Sequence, residues 1–198
     1  FGFKNIGENK KVNIEFVSAN PTGPLHVGHT RGAIFGDVLA NLLSNVGFVV
    51  TREYYINDAG TQIDSLARSA HSRYQEALGK EYNATENEYP GDYLKTVGQK
   101  LKEEFGEKLI SISDNNNLEK IKEYTVKIMI DEIKKDLSDL GVFMDSFVSE
   151  SSLYKDGKVQ EAIDYLTRLG LIYKGVLEKP KGSEDPDWVE REQDLFKS

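Results

Sequence analysis

The 198 residues contain no cysteine, two methionines, one tryptophan and three histidines. The absence of cysteine excludes a disulfide framework and thiolate metal sites, and it fits a reducing compartment. No apolar run approaches the ~18 residues of a membrane span, and no signal peptide is recognisable. These absences predict a soluble cytoplasmic protein. A length of 198 residues is enough for one domain, or one and a half.

Basic residues are fewer than acidic ones. The formal net charge is −8, from 25 basic and 33 acidic side chains. Residues 1–60 carry five of each sign, so the whole acidic excess lies in residues 61–198. Because coating a nucleic acid requires Lys and Arg to neutralise phosphates, this composition disfavours a general nucleic-acid coat.

A strand is predicted near the start of the chain. Residues Lys11–Val17 alternate, with Val12, Ile14 and Phe16 on one face and Glu15 on the other. A period of two is typical of a strand with one buried face.

A helix and a second strand follow. Helical spacing begins at about Val27, and Gly47 stands where a left-handed helix stop is expected. The apolar residues at that spacing are Ile34, Phe35, Val38, Leu39, Leu42, Leu43 and Val46. The β-branched and aromatic segment Phe48–Tyr55 predicts the second strand. Strand, helix and strand then form a βαβ unit with a right-handed crossover and parallel strands.

The rest of the chain is predicted to be mainly helical. The predicted elements are a helix over Thr61–Leu78, a helix capped by Asp92 and ending near Gly106, a loop at Ser113–Asn117, a long helix ending at Gly141, a short strand at Phe143–Ser149, a helix over Val159–Leu169 and a hairpin turning at Lys174 and Gly175. The long helix is expected to bury Ile121, Tyr124, Ile128, Ile133, Leu137 and Leu140. His71 lies in a polar helical stretch and is expected at the surface.

The segment SANPTGPLHVGH, residues 18–29, holds two of the three histidines. A loop that leaves a parallel strand and enters a helix lies at the carboxyl edge of the sheet, where α/β folds bind ligands. The helix start offers N–H groups to an anion, and His26 and His29, three residues apart, project to the same side. Gly28 has no side chain, so a flat group such as a purine can approach the backbone. Together these features predict a nucleoside triphosphate site.

A metal pair is the alternative interpretation of the two histidines. The only other histidine is His71, there is no cysteine, and no H-E-x-x-H motif is present. We therefore expect no protein metal site.

The string P-T-G-P-L-H-V-G-H is similar to the signature of the class I aminoacyl-tRNA synthetases, with Val27 where isoleucine is the usual residue. The wider strings VNIEFVSANPTGPLHVGHTRGAIFGDVLANLL and VTREYYINDAGTQIDSLARS resemble the arginyl-tRNA synthetases. A weaker resemblance continues through YPGDYL, LGVFMDSFVSE and GLIYKGVLEKPKG to REQDLFKS.

The resemblance implies activation of arginine by ATP to arginyl-adenylate and pyrophosphate, then transfer to the terminal adenosine of the tRNA for arginine. It implies that His26 and His29 stabilise the α-phosphate as pyrophosphate leaves, and that Pro24, Leu25 and Gly28 help to seat ATP. Members of the family generally need bound tRNA even for activation. Mg²⁺ is expected to accompany ATP, held through its phosphates.

The resemblance also implies an arginine site. Glu15 and Asn20 would contact the guanidinium and α-amino ends of the substrate, since a carboxylate accepts two parallel hydrogen bonds from a guanidinium. Ser18 would contact the substrate or support the loop, and support is favoured. A second set, Asp58, Gly60 and Gln62, follows the second strand at the same edge of the sheet and either lines the pocket or forms a turn.

The implied fold is α/β. Residues 1–62 would form the first half of a Rossmann-like, parallel-sheet nucleotide-binding fold, residues 63–178 a largely helical connective insertion, and residues 179–198 an acidic tail leading to a second half. No K-M-S-K loop occurs by Ser198, and the chain begins at Phe1 rather than methionine. We therefore expect a catalytic-domain fragment that is inactive alone, from an enzyme that is monomeric when intact.

Two alternatives stay open. One is another nucleotidyltransferase that carries the same histidine motif and acts on a small acid. The other is a non-catalytic RNA-binding or regulatory paralogue of the synthetases.

Overall fold

A computed structural model describes residues 4–82, 89–112, 115–177 and 191–197. The predicted loop residues 113 and 114, and most of the predicted acidic tail, lie outside the described residues. The chain divides into two compact units, Phe1–Ser151 and Ser152–Ser198. The elements are β1 (Lys11–Glu15), α1 (Val27–Asn45), β2 (Val49–Ile56), α2 (Thr61–Ala77), α3 (Tyr93–Phe105), α4 (Asn115–Asp139), β3 (Ser146–Ser149), α5 (Glu150–Lys155), α6 (Lys158–Arg168), β4 (Ile172–Val176) and β5 (Glu192–Phe196).

The predicted βαβ unit is confirmed. β1 and β2 pair in parallel, with Lys11 opposite Val49 and Glu15 opposite Glu53. β3 pairs in parallel with the other edge of β2, which makes a three-stranded sheet in the order β1-β2-β3. The third strand therefore comes from within the predicted insertion, and the division of the chain at residues 62 and 178 stays a prediction.

Two helices of the first unit cover the same face of this sheet. Arg52 in β2 donates from its Nη2 to Asn41 of α1 at 2.8 Å, and its Nε lies 3.4 Å from Asp37 Oδ1. Tyr54, two residues further on, belongs to a hydrophobic cluster with Ile133 of α4. Because alternate strand residues share a face, α1 and α4 lie on one side of the sheet.

The large apolar residues that recur at helical spacing in α1 do not form its buried face. Ile34, Val38 and Leu42 are 53%, 50% and 58% exposed, whereas the fully buried residues of this helix include Ala33 and Ala40. The cause is a close approach to the sheet: a Cβ on Gly36 of α1 would lie 2.2 Å from the ring of Phe16. Only small residues fit that distance, so the large apolar side chains point outward and leave an exposed apolar surface.

Two hydrophobic clusters share α4. Its first half contributes Ile121 and Ile128 to a cluster with α2 and α3, and its second half contributes Ile133 and Leu137 to the cluster beneath the sheet. The predicted burial of these four residues is confirmed. One long helix thus joins the helical body, α2 to α4, to the sheet.

The surface position predicted for His71 is wrong. The side chain is 6% exposed in α2, and its Nε2 lies 2.9 Å from the carbonyl oxygen of Ile110. Burial lowers the pKa of His71, although the hydrogen bonds to the backbone of Ile110 and Leu109 oppose that shift. The neighbours of His71 in the sequence are mostly polar, but in α2 His71 lies on the face that packs against the helical cluster.

The long helix differs from its prediction at both ends. It begins at Asn115 within the predicted loop, and it ends at Asp139, so Leu140 follows the helix and is 47% exposed. Tyr124 is only partly buried, since its ring packs edge-on against Phe105 at the border of the cluster.

Asp92 does not cap α3 with its side chain. Its backbone already has helical angles, with φ −63° and ψ −23°. A capping side chain needs extended backbone at that position. The carboxylate pairs instead with Lys95, at 2.8 Å.

The hairpin predicted at Lys174 and Gly175 is wrong. β4 continues through both residues and pairs with β5 in antiparallel register, Ile172 opposite Phe196. Gly175 makes room for Leu195 of β5 instead of forming a turn, because a Cβ there would lie 2.8 Å from a methyl group of Leu195.

Among the described residues, no helix combines the length and the apolarity that crossing a bilayer would require.

A pair of glycine substitutions tests the close packing of α1. Gly36→Ala should lower the free energy of unfolding by about 1–3 kcal/mol, because its Cβ overlaps the ring of Phe16. Gly32→Ala, one turn earlier on the same helix, should raise it by about 0.5–1 kcal/mol, because a Cβ there meets nothing within 4 Å. Urea unfolding of both variants measures the difference. Equal effects of the two substitutions would contradict the packing described here.

Candidate active site

The loop that carries the signature begins with a sharp turn. Val17 and Ser18 both have positive φ, at 67° and 38°. This region is unusual for any residue with a side chain and more so for a β-branched one. The hydroxyl oxygen of Ser18 accepts a hydrogen bond from the N–H of Tyr55 at 3.0 Å, which holds the turn against β2. In the structure the Ser18 side chain therefore bonds the loop to β2, and its role toward the substrate stays a prediction.

His26 and His29 cap the start of α1 reciprocally. His26 is the N-cap residue, and its Nδ1 accepts from the N–H of Gly28 at 3.1 Å. The Nδ1 of His29 accepts from the N–H of His26 at 3.3 Å. The two rings stack with their centroids 3.7 Å apart and their planes 22° apart. The two side chains lie side by side, as their spacing predicts.

The cap decides which ring nitrogens carry protons. A nitrogen that accepts from an N–H group is unprotonated, so each neutral ring carries its proton on Nε2. Burial and the neighbouring His26 ring lower the pKa of His29, because a second positive charge beside a stacked imidazole is unfavourable. The result is a pair of Nε2–H donors at the carboxyl edge of the sheet.

The backbone of this helix start is less available than predicted. The N–H of Gly28 bonds to His26 Nδ1, and the N–H of His29 bonds to the carbonyl oxygen of His26 at 2.8 Å. The imidazoles therefore take up backbone donors and present their own Nε2–H groups instead. Gly28 is also required by the cap, because a Cβ there would lie 2.9 Å from the His26 ring.

A cavity of about 280 Å³ lies at the start of α2. Its lining consists of Asn20, Asn57, Ala59, Gly60, Thr61, Gln62 and Ile63. The Nδ2 of Asn20 donates to the Oε1 of Gln62 at 2.9 Å, so these two amides are mutually oriented across the loops that follow β1 and β2. The structure thus brings together three of the residues predicted for the site, Asn20, Gly60 and Gln62.

Asp58 lies outside that lining. Its carboxylate accepts from the hydroxyls of Ser149 and Ser151, at 2.6 and 2.9 Å, and from the N–H of Ser151 at 2.8 Å. Burial raises the pKa of Asp58, but these hydrogen bonds outweigh it and hold the pKa below its ordinary value. Asp58 therefore joins the ends of β2 and β3 rather than facing the cavity.

Glu15 lies on the sheet face opposite α1 and is exposed. Its register partner on β2 is Glu53, so two carboxylates stand side by side on the same face. The salt bridges of the described residues involve neither of them. The two adjacent carboxylates create a site of negative charge suited to a cation. Their pairing could not be predicted from the sequence, because it depends on the register of two strands whose paired residues are 38 positions apart.

Pro24 and Leu25 lead into the cap. Pro24 is exposed, and Leu25 is partly buried against the cluster beneath the sheet. Among the described residues, no group of three or more His, Asp or Glu side chains lies close enough to hold a metal ion.

Residues 2–175 match the family model described as the catalytic domain of class I tRNA synthetases of the arginine type. The chain belongs to this family. Curated relatives named arginine–tRNA ligase, from Ruegeria sp. and Wolbachia pipientis, are 53% and 52% identical over all 198 residues. The chain spans about a third of the length of these arginyl-tRNA synthetase relatives, 34% in each case.

Solved structures agree with the family's fold. A protein assigned as an arginyl-tRNA synthetase from Campylobacter jejuni has a TM-score of 0.76 and 34% identity, and the match covers 88% of this chain and 38% of that one. The Thermus thermophilus arginyl-tRNA synthetase has a TM-score of 0.55 at 21% identity, over 89% of this chain and 32% of that one, which supports the fold alone. The predicted α/β class with a Rossmann-like parallel sheet is confirmed.

The reciprocal cap makes a prediction about His29. Its ring should titrate with a pKa below the usual value of 6.5, because burial disfavours the charged form and protonation places charge beside the second ring. The unfolded chain then binds more protons than the folded one, so the free energy of unfolding should fall as the pH drops from 6.5 toward the lowered pKa, and this group should contribute nothing above 6.5.

NMR titration of the histidine ring signals measures the pKa of His29, and the signal that is lost in His29→Asn is assigned to that residue. The nitrogen shifts should show the proton on Nε2 at neutral pH. A His29 ring that titrates at or above 6.5, or that carries its proton on Nδ1, would contradict the cap.

Proposed function

We propose that this chain supplies the histidine loop and part of the amino-acid site of an arginine–tRNA ligase. The reaction joins L-arginine to ATP as arginyl-adenylate and then transfers arginine to the 3′ end of its tRNA. The observation that carries the proposal is the pair of stacked histidines, whose Nε2–H groups are fixed by the reciprocal cap at the edge of a parallel sheet.

The activation step explains why two fixed donors are useful. A carboxylate oxygen of arginine attacks the α-phosphorus of ATP, the bond to the bridging oxygen breaks, and pyrophosphate leaves with the electron pair. Negative charge increases on the α-phosphate oxygens as this happens. Donors held in place before the reaction stabilise that charge without reorganisation, and this arrangement is often the largest single contribution to catalysis.

The ATP site would adjoin the cap. Gly28, which is exposed beside the His26 ring, would contact the adenine together with Pro24 and Leu25. Mg²⁺ would arrive with ATP as part of the substrate, held through the phosphates.

The two ends of arginine would meet different groups. Glu15, with Glu53 beside it, places two carboxylates where they can accept hydrogen bonds from a guanidinium. Asn20 donates its Nδ2 to Gln62, which turns its Oδ1 away from that bond and leaves an acceptor for the α-ammonium group.

The chain by itself would not catalyse activation. The sheet described here has one face covered by α1 and α4, while Glu15 on the other face is exposed, so the proposed guanidinium site faces water. Electrostatic stabilisation is strong only where water is excluded. The tRNA, a cytoplasmic location and a monomeric state remain proposals for the whole enzyme.

The test uses a joined protein, in which these 198 residues replace the matching third of the Ruegeria sp. arginine–tRNA ligase. Glu15→Gln preserves shape and removes charge, so it should raise the KM for arginine about tenfold to a hundredfold, which corresponds to the roughly 1.5–3 kcal/mol of a charged hydrogen bond. The KM for ATP should not change. Pyrophosphate exchange with cognate tRNA measures both constants.

Glu8→Gln is the matched control. Glu8 precedes β1, is exposed and pairs with Lys10 at 3.3 Å, so its loss of charge should leave both constants unchanged. Equal weakening of arginine and ATP by Glu15→Gln would show that Glu15 holds the strand edge instead of binding the guanidinium.

A further inference from the structure

Two tyrosine hydroxyls hold the backbone of the signature loop. The Oη of Tyr54, in β2, donates to the carbonyl oxygen of Ala19 at 2.8 Å, in a buried position. The Oη of Tyr93, the first residue of α3, donates to the carbonyl oxygen of Thr22 at 2.5 Å. The loop is therefore fixed on both sides of Asn20, once from the sheet and once from the helical body.

The ring of Tyr93 fits between two glycines. A Cβ on Gly23, in the loop, would lie 3.4 Å from the Cζ and Oη of Tyr93. A Cβ on Gly91 would lie 2.0 Å from the same ring, so the ring lies across a backbone that has no side chain there. The P-T-G-P-L and Y-P-G-D-Y-L segments, 71 residues apart at their hydrogen bond, thus form one packed unit.

The helical body holds Tyr93 firmly. Leu94 and Val97, on the following turn of α3, are fully buried in the cluster with α2 and α4. The N–H of Tyr89 donates to Ser69 of α2 at 2.9 Å. Burial, with a smaller effect of Tyr89, raises the pKa of Tyr93 to about 12, so its hydroxyl remains a donor at any physiological pH.

We propose that Tyr93 is a positioning residue for the active-site loop. By fixing the carbonyl of Thr22 it sets the course of the chain between Asn20 and His26, and so couples the helical body to the substrate-binding amide and to the capping histidines. Thr22 also donates its N–H to the carbonyl oxygen of Asn20 at 2.7 Å, which carries the restraint directly to that residue. The inference rests on the proposed function for its effect on catalysis, but not for its effect on the loop.

The test compares Tyr93→Phe with Tyr124→Phe. The first keeps the ring between the two glycines and removes only the donor. The second removes a hydroxyl from a residue packed against the same cluster, on α4. NMR of the 198-residue chain records the ring signals of His26 and His29, and pyrophosphate exchange by the joined protein records kcat and KM.

Tyr93→Phe should shift the histidine signals and lower kcat about tenfold to a hundredfold, since small misplacements of reacting groups cost up to that order. The KM for arginine should rise because Asn20 is displaced, the KM for ATP should change little, and Tyr124→Phe should alter none of these readings. Unchanged histidine signals in Tyr93→Phe would overturn the proposal, as would loss of cooperative unfolding, which would make Tyr93 a residue of the fold alone.

The NMR signals test the inference about Tyr93, and the exchange assay tests the proposed function, so the two can fail separately. If the unmodified joined protein showed no arginine-dependent exchange, the proposed function would fail, while the histidine signals would still decide whether Tyr93 positions the loop.

Discussion

The reciprocal hydrogen bonds between two imidazoles and the first turn of α1 are the interaction on which the site depends. Each Nδ1 accepts from a backbone N–H, which leaves Nε2 as the position for the proton of each stacked ring. A helix start normally attracts an anion through its own N–H groups. Here the imidazoles occupy the N–H of Gly28 and of His26 and present side-chain donors in their place. The histidines are therefore both the cap of the helix, through Nδ1, and the candidate hydrogen-bond donors to phosphate, through Nε2.

The rest of the first unit holds that cap in place. The turn at Val17 and Ser18 is strained, and strain of this kind persists only where the surroundings determine it. Tyr54 and Tyr93 supply those surroundings at Ala19 and Thr22, and α4 joins the two bodies from which the tyrosines come. A loop rich in proline and glycine thus becomes a fixed element. This explains why a largely helical segment is part of the same compact unit as the sheet.

Periodicity predicted the strand, helix and strand of residues 11–56 because a period of two or of 3.6 depends only on neighbours in the sequence. The buried side of α1 could not be read from the spacing of large residues such as Ile34 and Val38, because the contact with Phe16 selects for the smallest residue, Gly36. His71 was misplaced for a similar reason, since its burial depends on Ile110. The histidine pair, Asn20 and Gln62 were predicted from the motifs, and the structure brings the last two together. Their partners were not, because Glu53 and Tyr93 reach the site only through strand register and the packing of α3.

The most direct test of the central claim is arginine-dependent exchange of labelled pyrophosphate into ATP by the joined protein, with cognate tRNA, before and after His29→Asn. Asparagine places its Oδ1 near the position of the histidine Nδ1, so it can still accept from the His26 N–H, but it has no group at the position of Nε2. We expect exchange that requires arginine and a fall in kcat of about 10²–10³ in the variant, the order found for loss of one preorganised donor. Exchange at an unchanged rate in His29→Asn would contradict the claim that the outward Nε2–H stabilises the transition state.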